Sequence, residues 1–210
     1  LSLSIKSGEI FALLGHNGAG KTTTISMLTG MLAATSYRKC AIEGFDVATR
    51  MDDIRRSIAC CPQFDVLYDD LSGLQHMQLY AAIKGVPAIR AVDLLQRLNL
   101  PLTSQRSSEY SGGMRRRLSV GTALVGGSNV LFLDEPSSGL DPLSRRQLWQ
   151  LLKDERERGK TIVLTTHFME EADYLGDRIA IMSHGRLICC DTSAHLKQSH
   201  GVGYYLRVVK

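Results

Sequence analysis

The run Gly15, His16, Asn17, Gly18, Ala19, Gly20, Lys21, Thr22 and Thr23 fits the pattern G-x-x-x-x-G-K-[ST]. A loop of this kind is informative only between a buried strand and a helix. Both flanks are present. Residues 9–14 (Glu-Ile-Phe-Ala-Leu-Leu) read as the strand, and residues 22–31 read as the helix, with Ile25, Leu28 and Thr29 on one face. Glycines let the main chain approach an anion closely, and successive N–H groups then point inward at it. The pattern predicts that residues 15–23 wrap nucleotide phosphates, that Lys21 bridges the β- and γ-phosphates, and that the Thr22 hydroxyl ligates Mg²⁺. A Gly-rich structural turn is the plain alternative, and the flanking strand and helix argue against it.

A phosphate loop of this type belongs in an α/β framework, and the remaining pattern agrees. Residues 1–5 alternate (Leu1, Leu3 and Ile5 apolar) and read as a strand forming a hairpin with 9–14. A short strand pair is expected around Gly44, a polar helix over 51–56, and a strand over 57–61 stopped by Pro62. Between 64 and 125 the spacing is helical, over 73–84, 88–99 and 112–125, which reads as a helical lobe inserted into the framework. Continuous apolar strands return at 130–133 and 161–165, as expected for strands covered on both faces. Asp141 caps the helix between them, Pro142 takes its first position and Gly159 follows its end. A helix over 168–175 and strands over 178–183 and 204–209 complete the reading. Strands alternating with helices imply a mainly parallel sheet, with an N-terminal antiparallel β part.

Composition narrows the class further. At 210 residues the chain is one domain, with or without an inserted lobe. A formal charge of +4 is too small to imply nucleic acid. No apolar run is long enough to span a membrane. Cys40, Cys60, Cys61, Cys189 and Cys190 lack C-x-x-C spacing, so they read as buried thiols in a reducing compartment. Both ends fall inside strand patterns, which suggests a segment of a longer polypeptide.

Four further places carry chemistry. Asp134 and Glu135 close the strand at 130–133, at the carboxyl edge where open α/β sheets place ligands. One acid there suits orienting Mg²⁺, the other accepting a proton from an attacking water. His167 ends the next strand, where it can hydrogen-bond a γ-phosphate. Ser111 caps a helix whose first residues are Gly112 and Gly113, a second place for an anion at the positive end of a helix dipole. The following Arg115, Arg116 and Arg117 read as a solvated helix face. Gln63 follows its strand directly and can sense Mg²⁺ or the attacking water.

In this order the motifs resemble the nucleotide-binding domain of ABC transporters. Residues 15–23 correspond to its Walker A, Gln63 to its Q-loop and Tyr110-Ser-Gly-Gly-Met114 to its signature. Residues 130–136 correspond to Walker B, 138–142 to the D-loop and His167 to the switch histidine. The Tyr-Ser-Gly-Gly-Met signature, Cys61-Pro-Gln-Phe-Asp-Val-Leu67 and Thr165-Thr-His-Phe-Met-Glu-Glu-Ala-Asp173 resemble the eukaryotic A subfamily, whose cargo is lipid. Tyr37 stands where the family has a turn glycine and Ser137 where it has a threonine; the adenine-stacking aromatic is expected upstream of Leu1.

The resemblance implies a P-loop NTPase fold with a helical subdomain over about 64–125, and ATP and Mg²⁺ as ligands. ATP would be held by Gly15, Asn17, Gly18, Ala19, Gly20, Lys21, Thr22 and Thr23, and by Ser111, Gly112 and Gly113 of a second nucleotide-binding domain packed head to tail. Glu135 is expected as the general base, with Gln63 and His167 assisting; Thr22, Gln63 and Asp134 are the expected metal ligands. Transmembrane domains outside this segment are the expected partners, with this domain on the cytosolic face of the membrane. A bacterial exporter subunit is the nearest alternative. A non-membrane ABC ATPase, an ATP-binding module without hydrolysis and a GTPase are weaker ones: 47 residues between Gln63 and Ser111 leave no room for a long coiled coil, Glu135 and His167 favour hydrolysis, and no N-K-x-D guanine motif is present.

Overall fold

A computed structural model describes residues 1–201, so the strand expected over 204–209 lies outside the described residues. The framework is a six-stranded sheet in the order β4-β5-β6-β1-β7-β8. Its strands are β1 (Ile10–Leu14), β4 (Ile58–Cys61), β5 (Val130–Asp134), β6 (Thr161–Thr166), β7 (Arg178–Ser183) and β8 (Arg186–Asp191). All neighbours run parallel except β7 and β8, which form an antiparallel edge hairpin. A small antiparallel pair, β2 (Ala41–Ile42) and β3 (Phe45–Asp46), lies outside the sheet. Every residue of β1, β5 and β6 is buried, as the uninterrupted apolar runs require.

Alternate side chains of these strands supply two separate cores. Phe11, Leu13, Val130, Phe132 and Val163 pack with α1 (Lys21–Leu28) and α2 (Met51–Ser57) through Ile25 and Ile54. Ile10, Ala12, Leu131, Leu133, Ile162 and Leu164 face the other way. There they join the apolar sides of α5 (Gly112–Val125), α6 (Pro142–Glu157) and α7 (Met169–Leu175). Two more helices, α3 (Gly73–Ile83) and α4 (Ile89–Arg97), pack on each other and on α5, extending this second core away from the sheet. Helix α3 starts at a full capping box between Ser72 and Gln75, and α6 at Asp141, whose carboxylate accepts from the amides of Leu143 and Ser144. Hydrogen bonding from Ser144 holds the Asp141 carboxyl below the usual carboxylate range. Helix α8 (Ser193–His200), which the sequence pattern did not announce, follows β8.

Two expectations need correcting. Residues 1–6 form no strand, because β1 is hydrogen-bonded along both edges, to β6 and β7, and has no free edge for a hairpin partner. The apolar alternation of that segment is used differently: Leu3 and Ile5 rest on the core around Phe11. The cysteines are all free, yet only Cys61 is fully buried and the others are half-exposed. Burial pushes the Cys60 thiol up to about 12 and raises Cys61 as well, so neither is a reactive thiolate at neutral pH.

Candidate active site

The parallel order β5-β6-β1 places three chain reversals side by side at the carboxyl edge of the sheet. Register pairs Leu14 with Thr166 and Asp134 with Thr165, so residues 15–23, the two acids and His167 converge there. The loop after β1 is anchored by the Gly15 amide donating to the Thr166 carbonyl at 3.2 Å. A Cβ on Gly15 would stand 2.6 Å from the main-chain oxygen of Met182, so only glycine fits beneath β7. Gly20 enters α1 at φ +97°, and no side chain caps that helix. The first-turn amides of Lys21, Thr22 and Thr23 lack intrahelical partners by geometry, which is the arrangement that binds anions. Asn17, Gly18, Thr22 and Thr23 are exposed at the rim, while Ala19 is buried.

Lys21 is only 6% exposed. Its Nζ donates to the carbonyls of Gly15 at 2.8 Å and His16 at 3.3 Å, and lies 3.6 Å from Glu135 Oε1. The same Oε1 is 3.2 Å from His167 Nδ1. Glu135 is buried and sits at φ +47°, a left-handed conformation that costs a non-glycine residue ~1–2 kcal/mol. The surroundings hold it there. Its amide donates to the Thr165 hydroxyl at 2.9 Å, and that hydroxyl in turn donates to Asp134 Oδ1. One side chain thus fixes both acids, using the single donor and an acceptor lone pair of a hydroxyl. Among the described residues Asp134 Oδ2 accepts no hydrogen bond, which leaves it for another ligand.

Gln63 is exposed and follows by two residues Cys61, which pairs with Leu133, itself two residues before Glu135. Ser111 caps α5, accepting from the Met114 amide at 3.2 Å, and Gly112 beside it is exposed. Among the described residues no hydrogen bond or ion pair joins Ser111, Gly112 or Gly113 to residues 15–23. Residues 15–23, Asp134, Glu135 and His167 therefore meet at one edge of the sheet, whereas Ser111 and Gly112 are exposed and make no bond to that loop among the described residues. For Mg²⁺, the Thr22 hydroxyl and the spare Asp134 oxygen are the right hard donors, and no cluster of three or more His, Cys, Asp or Glu encloses a metal among the described residues. That is the donor set of a metal completed by substrate phosphates.

A family model described as ABC transporter matches residues 1–138. The chain belongs to the ABC transporter family. It is an ATP-binding and ATP-hydrolysing domain of that family. The human phospholipid-transporting ATPase ABCA3 is 50% identical over the whole chain, and rat ATP-binding cassette sub-family A member 2 is 45% identical. The chain spans 12% and 9% of the length of these relatives. Among solved structures, an ATP-binding subunit of an ABC transporter superposes with a TM-score of 0.84 at 28% identity, covering 95% of this chain and 85% of that one. A dimeric ATP-binding cassette in a post-hydrolysis state, bound to ADP and Pi, gives a TM-score of 0.83 at 26% identity over 90% of this chain and 88% of that one.

Within this ABC domain the arginine run is the largest departure from the expected picture. Arg115, Arg116 and Arg117 do not form a solvated face: Arg116 is 3% exposed and Arg117 9%. Arg117 donates to the carbonyls of Leu98 and Asn99 at the end of α4, and burial lowers its pKa. Arg115 pairs with Asp69 at 2.8 Å and donates to the Ser107 carbonyl. The second omission is Thr165. Its place opposite Asp134 in a parallel register was the available signal, since a hydroxyl at a strand end beside an acid is poised to bond it.

Proposed function

We propose that this domain hydrolyses MgATP at a site completed by a second such domain packed head to tail. The cycle would power lipid movement through transmembrane domains of the same transporter, with this domain on their cytosolic face. The carrying observation is the convergence of Lys21 and His167 on one oxygen of a buried, backbone-strained Glu135, beside an uncapped helix N-terminus. The phosphates fit the amides of residues 15–23 and the Lys21 ammonium. Mg²⁺, held by Thr22 and Asp134 with Gln63 nearby, would neutralise charge on the β- and γ-phosphate oxygens. Glu135 takes the proton of the attacking water. An anion that draws Lys21 and His167 toward itself releases Oε1 for that task. Substrate binding thereby unmasks the base.

Ser111 and Gly112 are exposed at a helix N-terminus that makes no bond to the domain's own loop among the described residues, which supports a role for Ser111, Gly112 and Gly113 on a partner's nucleotide. The human relative is a phospholipid-transporting ATPase, and its 50% identity over the whole of this chain supports lipid as the cargo. The full-length transporter carrying Glu135→Gln tests the reading. Steady-state hydrolysis should fall by about 10²- to 10⁴-fold while ATP still binds and the paired domains stay closed around it. Wild-type turnover in that variant would remove Glu135 as the base.

A further inference from the structure

Arg116 lies outside every role assigned above, yet it is the most densely bonded side chain near the site. A guanidinium has five N–H donors in a rigid planar fork. All five are used. Nε donates to the Pro136 carbonyl at 3.1 Å. Nη2 donates to the carbonyls of Asp134 at 2.6 Å and Glu135 at 3.0 Å. Nη1 turns the other way, to the Pro62 carbonyl at 2.8 Å and Asp65 Oδ1 at 3.0 Å. One edge of the fork therefore holds three consecutive carbonyls around Glu135, and the other holds residues on both sides of Gln63. Asp65 is the single carboxylate in the set, with its side chain 22% exposed, so most of the cation's solvation comes from peptide dipoles. Burying a cation this way requires that all its acceptors stay in place together.

We infer that Arg116 is a positioning residue for hydrolysis: it locks the left-handed backbone of Glu135 and ties the Gln63 loop to it, so that base and loop move as one unit. The inference rests on Glu135 acting as the base. Ser111, Gly112 and Gly113 open the same helix, α5, that carries Arg116. A rigid element thus joins the outward-facing anion surface to the domain's own base.

Arg116→Lys keeps the charge but has three donors on a flexible stem, which cannot span three carbonyls and the Pro62–Asp65 side at once. In the full-length transporter this variant should lower kcat by about ten- to a hundredfold, as loss of a supporting contact to a reacting group does, with the KM for ATP within about threefold. Combined with Glu135→Gln, it should cause no further loss of residual turnover, because it acts through the group already removed. Wild-type kcat in Arg116→Lys, or a loss that multiplies with that of Glu135→Gln, overturns the inference. Should Arg116→Lys fail to accumulate, Asp65→Asn decides on the same terms. It removes the one partly exposed acceptor charge, and should lower kcat severalfold without changing the KM; an unchanged kcat overturns the inference. A fully active Glu135→Gln would instead strike the base assignment itself, so the two failures are distinguishable.

Discussion

The two elements proposed to bind anions are built in opposite ways. Residues 15–23 are sunk into the sheet: Gly15 is roofed by the Met182 carbonyl, Ala19 and Lys21 are buried, and the acids of β5 stand within reach. Ser111 and Gly112 are exposed at the tip of α5, with nothing among the described residues within 4 Å of where a Gly112 Cβ would lie. The first element has a buried lysine and a buried glutamate beside it. The second has only a capped helix end and open space. On the proposed two-domain reading, the first element is furnished within this chain and the second serves a partner's nucleotide, which separates the effects that substitutions should have at each.

Lys21→Ala removes the one cation of the sunken element and should cost the most, about a thousandfold in kcat/KM for ATP, measured by steady-state hydrolysis. Gly112→Asp should come next. It meets no steric obstacle, and its charge at a helix N-terminus suits the folded domain, so Tm should stay within a degree or two. Hydrolysis should nonetheless fall about a hundredfold, because a carboxylate then faces the partner's phosphates. Wild-type turnover in Gly112→Asp would break the comparison, since the exposed element would then have no part in the reaction. The smallest effect sharpens it. Gly15→Ala should destabilise the domain by about 1–3 kcal/mol in chemical denaturation, through overpacking against Met182, whereas Gly112→Ala should be nearly neutral.

The sunken element was the legible one, because its requirements are local. Strand, glycines, lysine and helix follow each other in sequence, and the apolar runs of β1, β5 and β6 announce burial on both faces. His167 and the acids could be placed because parallel strands deliver their ends to one edge. Arg116 could not. Within α5 it belongs to a run of three arginines, and periodicity registers such a run as solvent-facing. Its partners lie in loops far away in the chain, and main-chain carbonyls leave no residue-type signature to match against a cation. Residues 1–5 misled for a related reason: alternation reports which side chains seek a core, but says nothing about whether a neighbouring strand has an edge to spare. The hairpin of β7 and β8 was half-visible, since β8 is half-exposed along its length and lacks a clean alternation.

That hairpin has a mechanical consequence. The Gly185 amide at its turn donates to the Ala19 carbonyl at 2.9 Å, and Met182 in β7 is the roof over Gly15. Residues 15–23 are therefore stapled from behind to the β7–β8 hairpin, at the β8 edge of the sheet. A displacement of β8 is passed to the loop through that one turn. The β7–β8 hairpin is in this sense a handle on the loop proposed to hold the phosphates.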